Sequence, residues 1–179
     1  MILTGAAITT AVQNGEITFD PFDPVMVNPN SVNYRLGSTL QVPTVPVMDP
    51  RVDTPCEQIT IPDHGYVLKP SRVYLGATVE TIGSRRFVPS LIGRSSLGRL
   101  GLFLQISADL GQLGACHRWT LEIVAVQPIR VYAGMRIGQV SFWVPEGHRQ
   151  PYRGYYGRIS EAVPCYPLAA AGARTLEMA

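Results

Sequence analysis

From Ile17 onward, short runs of β-branched and aromatic residues are cut repeatedly by proline and glycine, the spacing of a chain that pairs strands rather than packing helices. The runs predict strands over Asn33–Val42, Gln58–Ile61, Tyr66–Leu68, Arg72–Val79, Phe87–Ile92, Leu102–Ile106, Trp119–Val126, Ile129–Tyr132 and Ile137–Val144. Only the first residues keep a helical period. Ala6, Ile8, Ala11 and Val12 form a rough apolar stripe, Thr4 is placed to cap it, and Asn14-Gly15 to end it. One short helix followed by many short strands predicts a mainly β domain of the sandwich or jelly-roll kind. Val42–Pro55 holds four prolines and reads as a surface loop, since too few residues precede it to form a second core.

Within Trp119–Val126 the period-two pattern places Trp119, Leu121, Ile123 and Ala125 on one face and Thr120, Glu122, Val124 and Val126 on the other. Glu122 therefore has apolar neighbours on its own face. If that face is buried, desolvation raises the carboxyl pKa toward the range useful to a general base; if it meets water, Glu122 serves solubility alone. After Pro145 the chain turns aromatic and polar, with Tyr152, Arg153, Tyr155, Tyr156 and Arg158 among glycines. That density suits a flap over residues 145–168 closing on a base and phosphates, or a plain C-terminal tail.

At 179 residues the chain suits one domain, predicted over 1–168, with a disordered tail over 169–179. Charged residues are only 16% of it, less than a soluble monomer usually shows, as when part of the surface is buried between subunits. A net charge of +2 without any block of like charges argues against a nucleic-acid polymer as partner. The local clusters Arg85-Arg86, Arg94/Arg99 and Arg153/Arg158 fit a small anion better. Cys56, Cys116 and Cys165 are odd in number and far apart, which fits a reducing cytoplasm better than a disulfide framework or structural zinc. No apolar run approaches the roughly 18 residues of a membrane span, and the first residues lack the pattern of a signal peptide, so the expectation is a cytoplasmic protein with no membrane partner.

Gly93-Arg94-Ser95-Ser96-Leu97-Gly98-Arg99-Leu100-Gly101-Leu102 carries the densest chemistry. Glycines let a backbone approach a ligand, and hydroxyls, guanidinium forks and peptide N–H groups are the donors a polyphosphate needs. The alternative is a surface turn with solvated arginines. Walker A, dinucleotide-fold and nucleophile-elbow patterns are absent, as is the zinc deaminase signature, and His64, His117 and His148 have no second ligand at metal spacing.

Together these residues resemble the dCTP deaminases of the deaminase and dUTPase superfamily. Gly93 through Gly101 is similar to that family's phosphate and catalytic motif, and Thr120-Leu121-Glu122-Ile123-Val124-Ala125 to its glutamate strand, with Glu122 standing 23 residues after Arg99. Met1-Ile2-Leu3, Pro21-Phe22-Asp23-Pro24, Ser31 to Gly37, Gly134 to Gln139 and Tyr155-Tyr156-Gly157-Arg158 extend the likeness over about residues 1 to 165. The resemblance implies a distorted, dUTPase-like jelly roll assembled as a homotrimer with active sites between subunits, and conversion of dCTP to dUTP and ammonia without zinc. It implies that Glu122 activates water, that Arg99 and Ser95 order it, and that Arg94, Ser95 and Ser96 hold the triphosphate with Mg²⁺. Gln105, Ile106, Ala108 and Gln112 are implied for the base and sugar pocket, and Tyr155, Tyr156 and Arg158 for the flap.

The likeness has gaps. The family usually carries an Asp and then an aromatic in the loop before the glutamate strand, where this chain has Gln112 and Ala115. Related bifunctional enzymes use that Asp to drive phosphate hydrolysis, and a Gln amide cannot act as a base at neutral pH, so little pyrophosphatase activity is expected. Gln105 also replaces a common His, and Arg158 a common Gln. Two other readings stand beside the deaminase: a diverged nucleotide pyrophosphatase using Asp109, and a catalytically silent nucleotide-binding trimer.

Overall fold

The computed structural model describes residues 1–106 and 108–167. The predicted tail over 169–179 lies outside the described residues. Helix α1 (Gly5–Gln13) starts as the sequence predicts, with the Thr4 hydroxyl accepting from the Ala7 N–H at 3.3 Å and with Ile8 and Ala11 buried beneath it. The strands that follow are β1 (Thr18–Asp20), β2 (Val32–Pro43), β3 (Cys56–Thr60), β4 (Tyr66–Leu68), β5 (Val73–Gly83) and β6 (Val88–Gly93). After the short helix α2 (Ser95–Gly98) come β7 (Leu102–Leu104), β8 (Cys116–Ala125), β9 (Ile129–Val131) and β10 (Arg136–Trp143). Sequence patterning misses β1, which is three residues long and shows its alternation only in the single buried Phe19.

Eight strands form one antiparallel sheet in the order β6-β10-β2-β5-β8-β7, with β1 added to β5 and β3 to β2, while β4 and β9 pair separately. The sheet curls until its ends approach each other: a Cβ built on Gly93 in β6 would lie 3.7 Å from the Leu104 nitrogen in β7. The near-closed, jelly-roll-like shape buries Tyr34, Tyr74, Phe142, Leu36, Leu121 and Ile123 in one core. Tyr34 fits because its neighbour across β10 is Gly138, where any side chain would collide with the phenol ring. The loop after β2 is exposed, as its prolines imply, with Val47, Met48 and Val52 facing outward.

The middle of the sheet is bent at bulges in β2 and β5, and the bends decide how β8 is held. At the β5 bulge Glu80 turns inward to 1% exposure, and its carboxylate accepts from the Arg35 N–H at 2.8 Å and from Arg35 Nε at 2.6 Å. Where the ladder to β8 is interrupted, Thr78 takes over: its hydroxyl accepts from the Trp119 N–H at 2.9 Å and its carbonyl from Arg118 Nε at 2.8 Å. Removing one partner of a buried ion pair leaves the other uncompensated, so Glu80→Ala should destabilise the fold by about 3 kcal/mol in chemical denaturation. Arg86, part of one predicted anion cluster, is instead paired with Glu16 and lies over the Phe87 ring.

Candidate functional site

On β8 the residues Leu121, Ile123 and Ala125 point into the core, which leaves Thr120, Glu122 and Val124 on the opposite, half-buried face. The alternation read from the sequence holds there and relaxes at Trp119, opposite the β5 bulge, where the indole lies at the cavity edge and donates to the Ile82 carbonyl at 2.8 Å. Glu122 faces a cavity of about 770 Å³. Burial raises its carboxyl pKa from the ordinary carboxylate value, and among the described residues its carboxylate has no hydrogen-bond partner. A carboxylate so placed is ready to take a proton from water.

The wall beside Glu122 comes from the chain leaving β7. Strand β7 stops at Leu104, two residues before the predicted end, because Gln105 adopts a left-handed backbone with φ of 48°. The buried Gln105 side chain stays in the wall, and Ile106, Ala108, Leu110 and Gln112 continue it. Ala115 is buried at the end of this loop, while Gln112 is exposed and its carbonyl accepts from the Ala115 N–H. Asp109 is turned the other way, its carboxylate accepting from the Ser90 hydroxyl at 3.0 Å on β6.

The C-terminal segment roofs the cavity. The Tyr152 N–H donates to the Leu113 carbonyl at 2.7 Å, the Thr120 hydroxyl donates to the Glu161 carbonyl at 3.3 Å, and a 3₁₀ turn over Tyr155–Arg158 lies between. His117, 7% exposed, donates from Nδ1 to the Arg118 carbonyl. Burial holds its pKa below the ordinary imidazole value, against the opposing pull of backbone contacts with Arg118 and Ile159. Tyr156 lines the cavity, and burial pushes its phenol upward. Tyr155 meets Tyr156 edge to face and Tyr166 at a tilt, outside the lining. The Arg158 side chain lies outside what is described.

The arginine and serine motif folds as one compact turn. The short α2 begins directly after β6, and Gly101, with φ of 81°, turns the chain into β7 as the Val126 N–H bonds its carbonyl at 2.9 Å. Of the three glycines only Gly101 needs that conformation; Gly93 and Gly98 have ordinary space around them. Arg94 is half-buried, Ser95, Ser96 and Arg99 are exposed or nearly so, and among the described residues none of these four side chains makes a hydrogen bond or ion pair.

One chain thus brings Glu122, Gln105, Ile106, Ala108, Gln112 and Tyr156 around one cavity, and does not bring Arg94, Ser95, Ser96 or Arg99 to its lining. The two groups sit at opposite ends of β7, whose three residues span roughly 10 Å. Tyr152, which the sequence marks only as part of an aromatic tail, also lines the cavity. Its signal is the pair of glycines that follow: a Cβ on Gly154 would strike the Tyr152 ring, and one on Gly157 would lie 2.9 Å from it.

A sequence model of the "dCTP deaminase-like" family matches residues 2–144. Over 152 residues the chain is 43% identical to a protein of Hathewaya histolytica named "dCTP deaminase, dUMP-forming", covering 85% of this chain and 88% of that one. A Cytophaga hutchinsonii protein of the same name is 40% identical over 153 residues, covering 86% and 88%. Among solved structures, the crystal structure of 2′-deoxycytidine 5′-triphosphate deaminase from Agrobacterium tumefaciens superposes with a TM-score of 0.65 at 25% identity. The match covers 80% of this chain and 46% of the Agrobacterium chain, so this chain spans about half of that protein's length.

Proposed function

The chain belongs to the dCTP deaminase-like family, and on that premise we propose that it hydrolyses the 4-amino group of dCTP, giving dUTP and ammonia. The observation that carries the reading is Glu122, a carboxylate with a raised pKa and no protein partner among the described residues, facing a cavity large enough for a nucleotide base. Glu122 takes a proton from water as the water oxygen bonds to C4 of the cytosine ring, and delivers a proton to the departing amine. Arg99 and Ser95 order the water and the base, and Arg94, Ser95 and Ser96 bind the triphosphate through charge-assisted hydrogen bonds. Mg²⁺ would accompany the triphosphate and offset its charge.

Arg94, Ser95, Ser96 and Arg99 do not line the cavity that Glu122 faces in a single chain, which supports an active site completed by a second copy, and hence a cyclic homo-oligomer, a trimer in this reading. Residues 145–168 serve as the flap of one domain running from 1 to 168, with Tyr155, Tyr156 and Arg158 reaching the nucleotide. The substrate is then a free nucleotide of the cytoplasm.

A second reading is favoured by the names of the relatives, which are dUMP-forming: deamination followed by loss of pyrophosphate. The residues favour a stop at dUTP. Gln112 lines the cavity as an amide without basicity, and Asp109 is engaged with Ser90 away from it. The test is a panel of cytosine nucleotides, mono- to triphosphate and ribo- as well as deoxyribo-, separated by chromatography with ammonia and pyrophosphate measured in the same run. Equimolar dUTP and ammonia from dCTP is the expected result. Pyrophosphate with dUMP supports the second reading, and tight binding with no turnover of any nucleotide overturns both.

A further inference from the structure

We propose that Gln105 is a positioning residue for the deamination step, its side-chain amide standing in for a lost backbone bond that fixes the peptide of Glu122. The inference rests on Glu122 being the base. Strands β7 and β8 pair Leu102 with Ala125, Phe103 with Val124 and Leu104 with Ile123, so the next pair in register is Gln105 with Glu122. An antiparallel pair at that point exchanges two bonds, N–H to carbonyl in each direction. Only one survives here, from the Gln105 N–H to the Glu122 carbonyl at 3.4 Å. In place of the other, the Glu122 N–H donates to Gln105 Oε1 at 2.7 Å.

The substitution follows from the backbone. A left-handed Gln105, φ 48°, ends the ladder and leads the chain into the cavity wall, and the side chain then folds back to supply the missing acceptor. The other end of the same amide is used as well, Nε2 donating to the Ala108 carbonyl at 3.2 Å. The two partners also fix which end of the amide is oxygen, since a peptide N–H needs an acceptor and a carbonyl a donor. One buried side chain therefore ties the peptide of the base to the loop that shapes the cavity. A left-handed site taken only for its turn selects glycine or asparagine, because a longer side chain strains it. Glutamine at this position points to the amide as the reason.

Three variants separate positioning from turn geometry. Gln105→Met keeps the length with no donor and only a weak sulfur acceptor, Gln105→Gly relieves the backbone while removing the amide, and Gln105→Glu keeps the acceptor and loses the donor. The expected result for Met and Gly is a kcat about tenfold or more lower with KM within about threefold, since small misplacements of a catalytic group are costly. Thermal unfolding of Gln105→Gly should stay close to wild type. Hydrogen exchange at the Glu122 amide should accelerate in Met and Gly and remain slow in Gln105→Glu, whose added carboxylate also shifts the acid limb of the rate profile upward. A kcat for Gln105→Gly within about twofold of wild type, or unchanged Glu122 amide protection in Gln105→Met, overturns the proposal. If wild-type protein releases no ammonia from dCTP, the functional reading fails, and the amide exchange still decides the role of Gln105.

Discussion

Glu122→Gln is expected to lower ammonia release from dCTP by about a thousandfold, the range of a lost general base, while the fold and its assembly persist. The substitution keeps the shape and the acceptor oxygen and removes only the basicity. Activity that survives undiminished sinks Glu122 as the base. Two pH effects accompany the loss. In wild type the base must be ionised, and burial raises its pKa, so the acid limb of kcat/KM is shifted upward from the ordinary carboxylate value and is absent from whatever activity the variant retains. Stability moves the opposite way. A folded-state pKa above the unfolded one means that the folded chain holds its proton more tightly, so the contribution of Glu122 to stability is fully present below the unfolded value and is lost as pH rises through the folded value. Above the folded value wild type carries a partly desolvated charge that the variant lacks. The melting temperature of Glu122→Gln should therefore equal or exceed that of wild type on the alkaline side of that value, with the difference shrinking as pH falls through it.

The sequence makes the scaffold legible where a signal is local. The α1 stripe with its Thr4 cap and the long strands β2 and β8 are read within a few residues, because each is set by periodicity and by neighbours in the chain. It is silent where the cause is distant. The end of β7 depends on the left-handed Gln105, and the inward turn of Glu80 depends on a bulge paired against β8. Glu122 shows the same limit at the site itself. Alternation gives its face, but whether that face is buried depends on the roof formed by residues 152–165, well beyond β8 in the chain. The arginine and serine motif reads as a turn of donors and folds as one, yet nothing local says that it stays out of the lining of the cavity that Glu122 faces.

That separation leads to the other large effect. Glu122→Gln and a chain with both Arg94→Ala and Arg99→Ala are each expected to be inactive alone, the first for lack of a base and the second for lack of phosphate and water contacts. Mixed in equal amounts, unfolded and refolded together, they should regain activity. If each site takes Glu122 from one copy and the arginines from its neighbour, random assembly into a closed ring makes about a quarter of the sites wholly wild type. If one chain supplies all of these groups, no site in the mixture is intact and activity stays at the sum of the two variants. The experiment is decisive because all three substitutions are at half-buried or exposed side chains without protein partners among the described residues, so none should disturb folding. It follows from the cavity lining alone: Gln105, Gln112, Tyr156 and Glu122 converge in one chain, and Arg94, Ser95, Ser96 and Arg99 do not line that cavity.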